Sequence, residues 1–233
     1  YNGTNEKVKL QITCPDQSCY TYLISDRGAY DTFPLTAGNG SYALQVLENV
    51  AGDTYTVSLA QSINVSIEDE FLPFLYPNQY VNFHTDSKAV SKGSDLAKDT
   101  YSDLDVVQNI YNYVIKNISY DTAKAQNVSY GYVPDIDDTL SSKKGICFDY
   151  AALMTSMLRS QNIPTKLEVG YSGDAYHAWI STYIDDKGWV DDIIQFNGDT
   201  WQIMDPTLAA TNDSAAVKKY VGDGSHYVVK YTY

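Results

Sequence analysis

The run Ser141-Ser142-Lys143-Lys144-Gly145-Ile146-Cys147-Phe148-Asp149-Tyr150-Ala151-Ala152-Leu153-Met154 decides how this chain is read. A polar, glycine-ended lead-in passes into apolar residues, Ala151, Leu153, Met154, Met157 and Leu158, that recur at close to helical spacing until Asn162 and Pro164 stop them. The pattern predicts a buried helix with Cys147 in its first turn. There the unpaired backbone N–H groups and the positive end of the helix dipole favour an anion, and a thiolate is the reactive form of cysteine. A cysteine in an apolar stretch also serves as a small inert core residue, so position alone leaves both roles open.

Downstream of Pro164 the sequence turns to strands: Lys166 to Tyr171, Ala175 to Tyr183, Trp189 to Ile194 and Thr200 to Met204. Asp185-Asp186-Lys187-Gly188 and Phe196-Asn197-Gly198-Asp199 supply hairpin turns, so a helix followed by an antiparallel meander is expected, an α+β layout. A last strand is expected around Tyr227 to Tyr231. A cysteine nucleophile needs a base, and the base needs a group that fixes its tautomer. Of His84, His177 and His226, only His177 lies in a strong strand, where alternation sets it and Trp179 on the face opposite Tyr176, Ala178 and Ile180. Asp205, held extended before Pro206 at a strand end, is the candidate orienter, with Asp191 and Asp192 as rivals.

Upstream, Ser102 or Asp103 caps a helix whose Leu104, Val107, Tyr111, Val114 and Ile118 line one face. The acidic stretch Asp135-Ile136-Asp137-Asp138 lacks the spacing and glycine of a calcium loop and is read as solvated surface. From Glu6 to about Phe83 the chain alternates with period two (Val8, Leu10, Ile12; Tyr20, Tyr22, Ile24; Tyr42, Leu44, Val46) between turn clusters, which predicts a small β-sandwich-like domain. Two domains follow, residues 1–83 and 84–233, with the junction after the proline-broken segment Phe71 to Pro77.

The 233 residues are 44% hydrophobic and 19% charged, a globular composition, and no apolar run approaches the roughly 20 residues of a membrane span. A net charge of −13, with Arg27 and Arg159 as the only arginines, argues against nucleic acid. Cys14 and Cys19 flank Pro15-Asp16-Gln17-Ser18 and read as a hairpin disulfide, as two free thiols, or as half of a metal site lacking its other ligands. With 22 tyrosines and many Asn, Thr, Ser and Gly, the composition resembles exported bacterial surface proteins, and Tyr1-Asn2-Gly3-Thr4-Asn5 reads as the start of a chain whose targeting segment was removed.

Gly145-Ile146-Cys147, His177-Ala178-Trp179 and Asp205-Pro206-Thr207 together resemble the transglutaminase-like family, in which a Gly-x-Cys opens a helix, a His-Ala-Trp lies in a strand and an Asp-Pro-Thr closes another. The resemblance covers roughly residues 84 to 210 and leaves the β-rich first part aside. It implies a papain-like core with Cys147 as nucleophile, His177 as base and acid, and Asp205 orienting the histidine. No cofactor or metal is implied, and the oxyanion donor is the backbone N–H of Cys147, with Tyr120 a further candidate. The expected function is that of an exported thiol enzyme acting on amides of a protein, peptide or cell-wall substrate, hydrolysis being favoured over transamidation. The other reading is a non-catalytic cell-surface binding module on the same fold.

Overall fold

The computed structural model describes residues 1, 3–24, 28, 30–185, 187–191, 194–196, 201–203, 207, 210 and 226–233. The chain divides into two compact units, Tyr1–Pro73 and Phe74–Tyr233.

In the first unit, β1 (Val8–Thr13), β2 (Cys19–Ile24), β3 (Gly40–Ala51) and β4 (Thr54–Val65) form one antiparallel sheet in the order β2-β1-β3-β4. Alternation puts Val8, Ile12, Tyr20, Tyr22 and Tyr42 on its buried face, and Phe33 packs its ring 4.7 Å from that of Tyr22. The β-rich character expected here holds, but among the described residues it is a single sheet rather than two stacked ones. Burial fades across it toward β4, an edge strand that is exposed along most of its length.

The hairpin reading of Cys14 and Cys19 as a disulfide is corrected. Both thiols are free, because the β1–β2 register sets Cys19 opposite Thr13 rather than Cys14. Cys14 therefore continues the buried side of Ile12, while Cys19 lies on the exposed side; burial also pushes the Cys14 thiol up.

The second unit is built around one helix. It contains α1 (Lys88–Ala97), α2 (Asp103–Asn117), α3 (Thr122–Asn127), α4 (Ile136–Ser142) and α5 (Cys147–Arg159). Ser102 caps α2 by accepting from the Asp105 N–H at 3.2 Å, and Val107, Ile110, Tyr111 and Val114 recur on its buried face. α5 is buried from Asp149 to Arg159; it packs on α1, α2 and α4 on one side and on two strands on the other. Those strands, β7 (Thr165–Ser172) and β8 (Ala175–Ile184), are central in an antiparallel sheet ordered β12-β7-β8-β9, with β9 (Gly188–Val190) and β12 (Tyr227–Thr232) at its edges.

Two expectations change here. Among the described residues, the strand expected over Thr200 to Met204 does not extend the meander: β10 (Ile194–Phe196) and β11 (Trp201–Ile203) pair only with each other, and β12 takes the place beside β7. Residues 74–83, expected with the first part, belong to the second unit. Their packing gives the reason: Arg159, buried at the end of α5, donates to the carbonyls of Tyr76, Thr165 and Tyr233, and Tyr80 packs its ring against Phe148 and Tyr233.

The acidic stretch is not merely solvated. Asp135 caps its own helix by accepting from the N–H groups of Asp137 and Asp138, while Asp137 accepts from those of Lys88 and Ala89 and so caps α1. The cap Ser87 does not supply is thus provided by Asp137, 49 residues beyond Lys88. No helix among the described residues is long and apolar enough to cross a membrane.

Candidate active site

Cys147 is the first residue of α5 and is half-buried. Ile146 before it is extended and has no side-chain acceptor to cap the helix, so the cap comes from the reverse direction: Asp149 Oδ2 accepts from the Ile146 N–H at 2.8 Å. This half of a capping box brings the carboxylate back over the lead-in. A Cβ on residue 145 would stand 2.7 Å from that of Asp149, which is why the residue two before the cysteine is glycine.

Asp149 is fully buried and its charge is matched. It accepts from Lys124 Nζ at 2.7 Å and from the Tyr132 hydroxyl. Burial first, and then the bond to Asp149, push the Tyr132 phenol far above its ordinary range, so it remains a donor. The lead-in is held from another side by a short parallel bridge of β5 (Ser119–Tyr120) with β6 (Lys144–Gly145), extended by Asp121 N–H donating to Gly145 O at 2.9 Å. Four sequence-distant groups thereby fix the backbone that presents Cys147. Tyr120 lies opposite Gly145 in that bridge.

His177 is the third residue of β8 and is buried. Its ring stacks on that of Trp179 with centroids 6.1 Å apart, and both pack on Tyr227 of β12, at 6.4 and 4.8 Å. Reaching across β7 to do so requires Gly170, the residue paired with His177: a Cβ there would come within 2.0 Å of the Val228 carbonyl oxygen and 3.0 Å of the Trp179 ring. Beside Trp179 on β7 stands Glu168, a buried carboxyl that accepts from Ser181 Oγ. Burial pushes Glu168 up, and the Ser181 hydroxyl opposes the shift.

The helix that begins at Cys147 packs on the strand that carries His177, so the fold makes neighbours of elements 30 residues apart in sequence. Asp205 and its rival Asp192 lie outside the described residues; the other rival, Asp191, is exposed, as are His84 and His226. Asp149, Lys124, Tyr132 and Glu168 were not among the residues expected from sequence. Only Asp149 carried a local signal, an acid three residues after the cap position.

Residues 91–191 match the family model of the transglutaminase-like superfamily, a segment that includes Cys147 and His177 and ends before Asp205. The chain is 30% identical over 118 residues to the UPF0252 protein MJ1282 of Methanocaldococcus jannaschii, a match covering 44% of this chain and 34% of that relative, so it spans about a third of the relative's length. Among solved structures, the periplasmic domain of TgpA from Pseudomonas aeruginosa aligns at a TM-score of 0.48 with 12% identity, over 93% of this chain and 92% of that one. Red sea bream transglutaminase aligns at 0.33 with 15% identity, over 86% and 45%.

Proposed function

We propose that the transglutaminase-like segment makes this chain a thiol enzyme acting on amides. Cys147 Sγ, giving its proton to His177, attacks the amide carbonyl carbon; His177 returns that proton to the leaving amine as the C–N bond breaks, and a thioester remains on Cys147. Water, deprotonated by His177, releases the acid and restores the thiol. An amine in place of water makes the same step a transamidation; hydrolysis is favoured because water is always present. Asp205, in its Asp-Pro-Thr context, is the proposed orienter of His177, and the backbone N–H of Cys147 the proposed oxyanion donor. The substrate class is a protein, peptide or cell-wall amide, and the tyrosine- and Asn-rich composition supports an extracellular or cell-surface setting, which protease shaving of intact cells checks.

The observation that supports this reading most is the placement of Cys147. It opens a buried helix, in a lead-in pinned by Asp149, against the strand that bears His177. The test is amine release from a library of peptides and cell-wall amides by the wild type, Cys147→Ala and Asp205→Asn, with iodoacetamide labelling of Cys147 across pH. Release is expected to vanish in Cys147→Ala and to fall by about 10³- to 10⁴-fold in Asp205→Asn. Equal release by wild type and Cys147→Ala, with equal surface binding, makes the chain a non-catalytic binding module instead.

A further inference from the structure

Asp149 is more deeply buried than capping a helix requires. An acid at the third helical position bonds the N–H before the first turn equally well from the surface, and burying its charge costs stability unless donors surround it. Here the carboxylate is 0% exposed and both oxygens are taken: Oδ2 by the Ile146 N–H at 2.8 Å and Lys124 Nζ at 2.7 Å, Oδ1 by the Tyr132 hydroxyl. Only the first donor belongs to the lead-in. Lys124 comes from α3 and Tyr132 from the segment after it, 25 and 17 residues upstream of Asp149. Lys124 Nζ also donates to the Tyr132 hydroxyl at 2.6 Å, so the three side chains close into one cluster.

What the cluster holds is the peptide unit that precedes the thiol. Ile146 is buried and extended, with φ −93° and ψ 175°. Its N–H is fixed by Asp149, and its carbonyl accepts from the Tyr150 N–H at 3.1 Å, the first bond of α5. That carbonyl and the Cys147 N–H belong to one planar peptide and point in opposite directions, so fixing both polar groups of Ile146 sets where the Cys147 N–H points. This N–H is one of those at a helix start that have no intrahelical carbonyl to bond, and it is the oxyanion donor proposed above.

We infer that Lys124 and Tyr132 are positioning residues for the reaction at Cys147: through Asp149 they orient the Ile146–Cys147 peptide so that the Cys147 N–H meets the oxygen of the attacked amide. This rests on the thiol-enzyme reading above. Their part is indirect. Lys124 balances the buried charge, and Tyr132, whose phenol stays protonated because burial and Asp149 push it up, fixes the rotation of the carboxylate. Loss of either loosens the donor, and because the oxyanion forms only in the transition state, the effect falls on kcat rather than KM. Iodoacetamide, by contrast, loses iodide from a saturated carbon and develops no oxyanion, so alkylation of the thiol is indifferent to the donor.

The test compares wild type, Tyr132→Phe, Lys124→Met and Lys124→Arg on the peptide that wild type cleaves fastest in the library above. Iodoacetamide labelling of Cys147 is followed by peptide mapping at about pH 9, above the ordinary thiol value of about 8.5. The kcat is expected to fall about 10-fold in Tyr132→Phe and about 100-fold in Lys124→Met, with KM within about 3-fold, and Lys124→Arg to recover to within about 5-fold of wild type. Cys147 labelling is expected to stay within about 3-fold of wild type in all of them, a split that a merely structural role would not produce. Tyr132→Phe removes a single oxygen and keeps the ring that meets Phe148 edge-on, so it decides the outcome even where Lys124→Met does not fold. Wild-type kcat in Tyr132→Phe overturns the positioning role and leaves the enzyme standing. Labelling that falls in step with turnover makes the cluster general scaffolding and overturns the role as well. A wild type that releases no amine overturns the thiol-enzyme reading, and the positioning role falls with it.

Discussion

Each unit of the chain contains a four-stranded antiparallel sheet, yet the two sheets are finished differently. The first buries Val8, Ile12, Tyr22 and Tyr42 on one face and then opens out, so that β4, twelve residues without a charge, ends with Val57 and Leu59 more than half exposed. The second is packed on by α5, and β8 is buried from His177 through Thr182, on both of its faces. Four paired strands are therefore not enough to make a site. A histidine is placed reproducibly only where packing leaves its strand one arrangement, and a buried carboxyl such as Glu168 persists only where a partner such as Ser181 meets it.

The largest effect that tests this contrast is expected at Gly170. Its missing Cβ is what lets β12 pair with β7 and lets the Trp179 ring lie across, and the Val228 carbonyl at 2.0 Å leaves an added methyl no room. Gly170→Ala is expected to cost at least about 4 kcal/mol, lowering the thermal midpoint by roughly 10 °C. A midpoint within about 2 °C of wild type would break the strand order β12-β7-β8 at this place.

Next comes a matched pair of truncations, one in each sheet. Trp179, 2% exposed, is expected to lose about 3–5 kcal/mol on replacement by alanine. Leu59, 56% exposed on β4, is expected to lose no more than about 0.5. Denaturant titrations of the two variants measure both; comparable losses would mean that the first sheet is covered as the second is.

The smallest effects are in pH dependence, and here the sheets are expected to differ in sign. Burial raises Glu168 above its ordinary value of 4.5, so the unfolded chain gives up this proton first and stability falls as pH rises from there through the folded pKa. Glu168→Gln should match wild type in pH response near pH 4 and gain on it toward neutrality. Asp16, in the exposed β1–β2 turn, accepts from the hydroxyl and N–H of Ser18 and is held below its ordinary 3.8. Its contribution is present above that value and is lost as pH falls through the lower folded pKa, so Asp16→Asn should lag wild type at neutrality and draw level in acid. Unfolding midpoints from pH 2.5 to 8 give both slopes, and a Glu168→Gln gap that closes rather than opens with rising pH would contradict the burial of Glu168.

What could be read without the structure was local. The start of α5 at Cys147, the buried face of α2, the alternation of β1, β2 and β3, and the pairing of β7 with β8 all rest on residues a few positions apart, whose spacing and turn chemistry act before any distant contact forms. The three short motifs pointed to the superfamily whose model residues 91–191 match, although Asp205 lies outside the described residues. Tertiary structure decided the rest. Whether β11 or β12 completes the sheet is a competition between segments far apart in sequence, and β12 is the one that pairs with β7. Asp137 reads as one more surface acid until α1 arrives with two unpaired N–H groups, and Asp149 as a helix acid until Lys124 and Tyr132 close over it. Cys14 and Cys19 look like partners by spacing, but a register that faces Cys19 to Thr13 sends them to opposite sides of the sheet. Local propensity sets where an element begins and which residues share a face; which element that face meets is set by burial and hydrogen-bond satisfaction over the whole unit.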